Sequence, residues 1–287
     1  MKKFKPHKLP PRKNVFMSQG TSGEELDLYN TIKLLVPETQ VFQSDRTILN
    51  GREIDIYIPV YKLGFEFDGL FWHCSSSGKT PDYHLYKTIE AEKKGIRLLH
   101  IWSNEWELKR SLVVDHIQKI LGRGQLIDPY KCEIQSLTKS QGAMFINSCH
   151  IQGDEINSTH YYGLSYQGTV VAVASFRIEE GRWILTRYAE RRLVSVTNGL
   201  ALIIKHIREL KDLEVVCALD RRLYDGKDLI AIGFKEYKTS PPRKWYTQDY
   251  KVVYPEEAFL NIRESLKNKN EFKTIYDCGL KFFKLEI

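Results

Sequence analysis

Helical and strand-like hydrophobic periods alternate along the chain from Thr21 to about Gly124. Ser22 followed three residues later by Glu25 forms a capping box, and Leu26, Tyr29, Ile32 and Leu35 recur on one helical face. Pro37 stops that helix. Strict alternation follows in two short runs, REIDIYI and LGFEFD, separated by Pro59, Val60, Tyr61 and Lys62. A polar loop, CSSSGKTP, leads into a helix expected from about Asp82 to near Gly95. IRLLHIW reads as a buried strand, and Asn104 with Glu107 caps a last helix running to about Leu121. The pattern is an αββαβα unit.

The stretch RGQLIDPY, around Gly124 to Tyr130, reads as a connector. Paired strands follow: HYYGLSYQG, TVVAVASFRI and, after the Glu180-Gly181 turn, WILTRYAE. A helix is expected from about Asn198 to Lys211, then the apolar strand EVVCALD and a short helix ending at Gly233. A helix near Glu256–Lys267 and the strand-like KTIYDCGLKFFKLEI are expected to pack onto this second domain. The fold class is α/β (α+β), divided into an N-terminal arm (1–20), a first domain (21–125), a linker (126–139) and a second domain (140–287).

Charge adds one feature that the hydrophobic pattern does not show. Of the 43 Lys and Arg residues, Lys2, Lys3, Lys5, Lys8, Arg12 and Lys13 all precede the first acid, Glu24. The remaining 37 face 36 acids, so the net charge of +7 resides almost wholly in this proline-broken arm. Such a segment suits a phosphate backbone. No apolar run approaches the ~20 residues of a bilayer span, and no apolar segment follows the basic start as in a signal peptide. A cytoplasmic protein with no membrane partner is expected. Cys74, Cys132, Cys149, Cys217 and Cys278 are scattered and form no C-x-x-C pair, so they read as ordinary thiols.

Candidate chemistry gathers between Asp55 and Lys87. If REIDIYI and LGFEFD form a hairpin with Ile58 opposite Leu63, Asp55 falls opposite Glu66, and Glu53 opposite Asp68. Directly opposed side chains have Cβ atoms about 4.5–5.5 Å apart, where like charges repel unless a cation joins them. Carboxylate oxygens are the ligands Mg²⁺ takes, so Asp55 and Glu66 are candidate ligands for Mg²⁺ or Mn²⁺. His73 follows one short step beyond and could move protons. His84 and Lys87 share a helix face, from which the lysine could stabilise developing charge on a phosphoryl group. No four-ligand zinc set is legible around Cys74, His73 and His84.

These residues carry a resemblance. Asp55 followed by Glu66-Phe67-Asp68 is similar to the PD-(D/E)-x-K nuclease core, with Asp68 where the motif has lysine. GREIDIYIP and FEFDGLFWHC, then GIRLLHIW and NEW, more closely resemble the very-short-patch repair endonucleases over residues 20–125. Asp55 then matches a metal-binding aspartate and His73 the histidine after tryptophan, while Asp68 stands where those enzymes carry a histidine. The phage homing endonucleases of this group are more similar still. Glu24 or Glu25 would supply their helix acid, Asp82 or His84 their later group, and Lys87 would replace the missing lysine. The resemblance implies a divalent-metal-dependent DNA endonuclease in which Asp55 and Glu66 hold the metal, with Asp68, His73, His84, Lys87 and Glu25 catalytic. Its partner would be double-stranded DNA, and a homodimer is one arrangement that cuts both strands.

Residues 140–247 resemble the GCN5-related acetyltransferases. Their Gly-rich pyrophosphate turn is here RRLVSVTNGLA, with Gly199 alone, and Tyr224 to Gly233-Phe234 is similar to the family's closing tyrosine and G-F element. The degenerate turn implies a DNA-positioning module in which Arg187, Arg191, Arg192, Arg221, Arg222, Arg243 and Lys244 are candidate phosphate contacts. The alternative functions are an acetyl-CoA-dependent acetyltransferase with a nucleic-acid-binding first domain, a mismatch or restriction-type nuclease, and a protein that binds DNA without cutting.

Overall fold

The computed structural model describes residues 22–74, 78–249, 251–262 and 272–285. Lys2, Lys3, Lys5, Lys8, Arg12 and Lys13 lie outside them. The chain is mixed α/β with four sheets among the described residues. It divides into two compact units with interleaved segments. One comprises Met1–Leu108, Asp220–Asp225 and Ser240–Leu280. The other comprises Lys109–Leu219, Gly226–Thr239 and Lys281–Ile287. This is a different division from the linear one at residues 126–139.

The first unit opens with α1 (Gly23–Leu35), whose start Ser22 caps by accepting from the Glu25 amide at 3.1 Å. Three strands follow, β1 (Phe42–Leu49), β2 (Arg52–Ile58) and β3 (Leu63–Asp68). Then come the short α2 (Leu70–His73), α3 (Tyr83–Lys93), β4 (Arg97–Trp102) and α4 (Ser103–Ile120). Helix α4 departs from helical dihedrals at Lys109 (φ −128°, ψ 25°), where the unit boundary falls. The sheet order is β1-β2-β3-β4, with β2 antiparallel and β4 parallel to β3. The hydrophobic pattern did not reveal β1, whose residues are mostly exposed. In β2, Ile54, Ile56 and Ile58 are fully buried while the intervening residues are not, as the alternation predicts. Strand β3 is buried along its whole length. It is central, and α3 covers its polar face through His84 and Lys87. The acidic face expected toward solvent or a metal is therefore interior.

The second unit continues with β5 (Gln125–Ile127), β6 (Glu133–Leu137), α5 (Lys139–Cys149), β7 (His160–Tyr166), β8 (Thr169–Glu179) and β9 (Arg182–Glu190). After these come β10 (Val194–Val196), α6 (Gly199–Leu210), β11 (Val215–Asp220), α7 (Lys227–Ala231) and β12 (Lys235–Thr239). The chain then returns to the first unit as β13 (Lys244–Gln248), β14 (Val252–Pro255), α8 (Glu256–Ile262) and β15 (Phe272–Tyr276), a three-stranded sheet of order β14-β13-β15. The segment expected to pack on the second domain thus belongs largely to the first unit. Strand β16 (Leu280–Leu285) completes a seven-stranded sheet of order β12-β16-β11-β9-β8-β7-β6. Its core includes Phe176, Trp183, Ile203, Ile207, Phe234 and Phe283. Among the described residues, no helix is long and apolar enough to cross a membrane.

Close packing of α5 on this sheet depends on Gly142. A Cβ there would lie 2.2 Å from Cδ1 and 2.7 Å from Cβ of Tyr161, whose hydroxyl donates to Asp154 at 2.8 Å. The ring is anchored at its far end and cannot swing aside. Gly142→Ala should therefore cost roughly 1–3 kcal/mol despite alanine's higher helix propensity. Chemical denaturation of the two proteins measures this, and a gain in stability would show that α5 shifts freely.

Candidate functional site

The first unit concentrates buried ionisable groups on β2, β3, β4 and α3. The β2–β3 ladder runs from Ile58↔Leu63 to Ile56↔Phe65, the register expected of the hairpin. Asp55 then takes over from the backbone, its Oδ2 accepting the Phe67 amide at 2.7 Å. Burial pushes its carboxyl up to about 6, against the pull of Lys87 and the Phe67 amide. Glu66 is 1% exposed, and its Oε2 is paired with the Lys87 ammonium. Burial and Asp55 raise the Glu66 carboxyl well above the ordinary range. Burial alone would lower the Lys87 ammonium, yet Glu66 and Asp55 hold it protonated above its usual value. On α1, burial and the Asp55 charge push Glu25 up to about 7. Glu24 is exposed, so Glu25 is the helix acid that feels Asp55.

A second group surrounds Asp68, which is fully buried. Three imidazoles approach it: His73 Nδ1 at 3.2 Å and His84 Nδ1 at 3.3 Å from Oδ1, and His100 Nδ1 at 3.0 Å from Oδ2. Burial would raise Asp68, but the histidines hold it well below the usual carboxylate range. Burial pushes His73 down to about 4 and lowers His100, in both cases against the pull of Asp68. The His73 and His84 rings stack at 5.1 Å with 22° between their planes. Asp82 is exposed, so His84 joins the cluster and Asp82 does not.

The structure thus brings together Glu25, Asp55, Glu66 and Lys87, and beside them Asp68, His73 and His84. His100 and Thr88 were missed by the sequence reading. The signal existed, since parallel pairing of β3 with β4 sets His100 beside Glu66 in register, but it requires knowing which strands are neighbours. A third buried group, Arg222 with Glu105 and Asp220, was also missed. The Arg222 guanidinium lies 3.0 and 3.1 Å from the two Glu105 oxygens and 3.9 Å from the Trp102 ring. Arg222 was expected at a phosphate-binding surface but is interior, and Arg221 is paired with Glu92 at 2.6 Å. Arg243 is held by Asp277 and Asp220, and Lys244 Nζ lies 3.5 Å from Glu256, so neither offers an unpaired charge to DNA. Arg187 donates to the Gly153 carbonyl and Arg191 to that of Val170.

In the second unit, the parallel strands β9 and β11 are paired over three rungs only, Trp183–Leu185 with Val215–Cys217. Strand β9 runs on through Thr186–Glu190, keeping its ladder with β8 on the other side. Helix α6 follows, with Asn198 at its N-cap in the left-handed region (φ 52°) and no side-chain cap. A Cβ on Gly199 would lie 2.6 Å from the Tyr188 hydroxyl and 2.9 Å from Val196 Cβ, so the chain passes too close for a side chain. Just before the helix, Glu190 Oε1 accepts from the Val196 amide at 2.8 Å and from Tyr188 Oη at 3.0 Å. Burial raises the Glu190 carboxyl, against the lowering pull of the Val196 amide.

No protein-family model and no curated protein matches the chain. Solved structures similar to part of it include the ribosomal-protein-S18-alanine N-acetyltransferase of Escherichia coli, 14% identical over 54% of this chain and 92% of that one, with a TM-score of 0.31. A Bacillus subtilis acetyltransferase in complex with CoA is 12% identical over 55% and 99%, with a TM-score of 0.35. A GNAT family acetyltransferase from Elizabethkingia anophelis with acetyl-CoA bound is 10% identical over 55% and 99%, also at 0.35. Likeness at this level assigns no activity to the chain. These findings do overturn the nuclease reading: the similar structures are acetyltransferases. The expected membership among homing or very-short-patch repair endonucleases, the nuclease core and the DNA endonuclease activity are corrected on that ground. Mg²⁺ or Mn²⁺ is corrected likewise, since two of these similar structures carry CoA or acetyl-CoA. The geometry supplies a physical reason. Lys87 already provides the positive charge that the facing carboxylates Asp55 and Glu66 require.

Proposed function

We propose that the second unit performs acetyl-CoA-dependent acyl transfer to an amine. The observation that carries this reading is the opening of the seven-stranded sheet between β9 and β11 after three rungs. Beyond Leu185, the β9 edge facing β11 has no ladder partner in β11. An unpaired strand edge is a template for an extended ligand bearing amides. Pantetheine, with two amides in an extended chain, meets that description. When bound, acetyl-CoA supplies an acyl group activated as a thioester. The β9 edge would orient it, and the start of α6 would lie toward its phosphates, where helix amides favour anions.

Glu190 bears on the same reading. Its carboxylate occupies the Val196 amide beside the start of α6, where it opposes a second anion. Glu190→Gln keeps an acceptor for that amide and removes the charge. Affinity for CoA is expected to rise roughly tenfold, about 1.4 kcal/mol. Isothermal titration of both proteins measures it, and unchanged affinity would place the phosphates elsewhere.

The deciding test is thermal unfolding of the full chain with millimolar CoA or acetyl-CoA, paired with acetylation of an amine peptide library read by mass spectrometry. Ligand at about 100 times its Kd adds roughly 2.7 kcal/mol to stability. A raised Tm with transfer to an amine supports the proposal. No shift with either ligand rejects it.

A further inference from the structure

We propose that Asp68, His84 and His100 of the first unit form a binding site for a divalent cation of the zinc class, with His73 at its entrance. One ligand atom from each of the three residues lies within 4.8 Å of the others, and all three residues are buried. This proposal uses other residues than the acyl-transfer reading and does not depend on it.

The hydrogen-bond inventory of the cluster points to a cation. Asp68 Oδ1, His73 Nδ1 and both ring nitrogens of His84 are buried without a hydrogen-bond partner among the described residues. The separations of 3.2 and 3.3 Å from Asp68 Oδ1 to His73 and His84 are thus approaches of polar atoms and not hydrogen bonds. Leaving such groups unpaired in the interior costs about 1–3 kcal/mol each. His84, 2% exposed and aimed at Asp68, is the most complete case.

His100 supplies the third donor of the set. The Thr88 hydroxyl has the His84 carbonyl at 3.0 Å, one helical turn back, and Cys278 Sγ at 3.3 Å as acceptors for its one proton. The same oxygen is 2.9 Å from His100 Nε2, so it is placed to accept from an Nε2–H. The Nδ1 of the same ring lies 3.0 Å from Asp68 Oδ2, so His100 brings a third nitrogen donor to the same carboxylate. Imidazole ligands of metals characteristically donate their other nitrogen to a neighbouring acceptor, as His100 would to Thr88.

The donor set selects the metal class. Two imidazoles and one carboxylate suit Zn²⁺, with bonds of about 2.0–2.2 Å, and poorly suit Mg²⁺, which prefers oxygen. Bonds of that length place neighbouring ligand atoms about 3.4 Å apart in a tetrahedron. The 3.0 Å from His100 is to Asp68 Oδ2 and the 3.3 Å from His84 is to Oδ1, near this value for each oxygen singly, while one ligand atom from each of the three residues lies within 4.8 Å of the others. Three protein ligands leave a fourth position, and His73, whose side chain is 16% exposed, stands on the open side.

The experiment is metal binding by the full-length protein after chelation. Zinc is titrated in equilibrium dialysis, and cobalt replaces it for visible spectroscopy. One equivalent should bind, with cobalt giving the d–d absorption of a nitrogen and oxygen site. His84→Gln should weaken binding at least about 100-fold. Cys149→Ser, in the second unit and outside the ligand set, should leave it unchanged and serves as the folded control. Absence of stoichiometric binding by the wild-type protein overturns the proposal. So does a sulfur-to-cobalt charge-transfer band, or binding that survives in folded His84→Gln.

Discussion

Lys87→Met is expected to destabilise the protein by roughly 3–5 kcal/mol, the usual result of removing one partner from a buried ion pair. Glu66 is 1% exposed, its Oε2 is paired with Lys87, and its Oε1 has no partner among the described residues. Without the ammonium, an uncompensated carboxylate remains in the interior beside Asp55. The variant relieves this by protonating Glu66, whose carboxyl is already raised by burial. A raised acid disfavours folding only where it is ionised, so the penalty should shrink as pH falls. Lys87→Met with Glu66→Leu removes both charges and should recover most of the loss. Urea unfolding of the three proteins is the measurement. A single-variant cost below about 1 kcal/mol would mean that water reaches the pair.

Asp55→Asn should act in the opposite direction. Burial raises the Asp55 carboxyl from 3.8 to about 6, so the folded state binds this proton more tightly than the unfolded state. The resulting contribution to stability is fully present below pH 3.8 and is lost as pH rises through about 6. Roughly two pH units correspond to about 3 kcal/mol. Asparagine retains an oxygen to accept the Phe67 amide and carries no charge at any pH. In chelated protein at about pH 8, Asp55→Asn is therefore expected to be roughly 2–3 kcal/mol more stable than wild type. Near pH 4 the difference should disappear. Removing the Asp55 charge should also let Glu25 fall from about 7, which a carboxyl-resolved NMR titration would detect. Lower stability at both pH values would mean that Asp55 serves Lys87 more than burial opposes it.

Both variants probe the same feature, a sheet interior that contains charges where apolar side chains would be more stable.

The sequence by itself determined what depends on neighbours along the chain. The Ser22 cap, the alternation of Ile54, Ile56 and Ile58, the limits of β2 and β3 and the Ile58–Leu63 register all follow from local periods and a short connection. The clustering of Asp55, Glu66, Asp68, His73, His84 and Lys87 was legible for the same reason, since 33 consecutive residues contain them all. Only tertiary structure decided which face of β3 is interior. Parallel strand β4 and helix α3 bury Glu66 and Asp68, so the first is neutralised by Lys87 and the second is ringed by imidazoles. His100 joins them from a strand that sequence reading treated as apolar core. Arg222, by its charge a candidate for a surface contact, is interior because Glu105, 117 residues away, meets its guanidinium. The return of β13 to β15 to the first unit was likewise invisible, because no local period records which distant segments share a core. The few residues between β9 and α6 follow the same rule. Their composition shows a single Gly199, but only the fold shows Glu190 holding the Val196 amide, since that bond depends on how β9 turns into the helix.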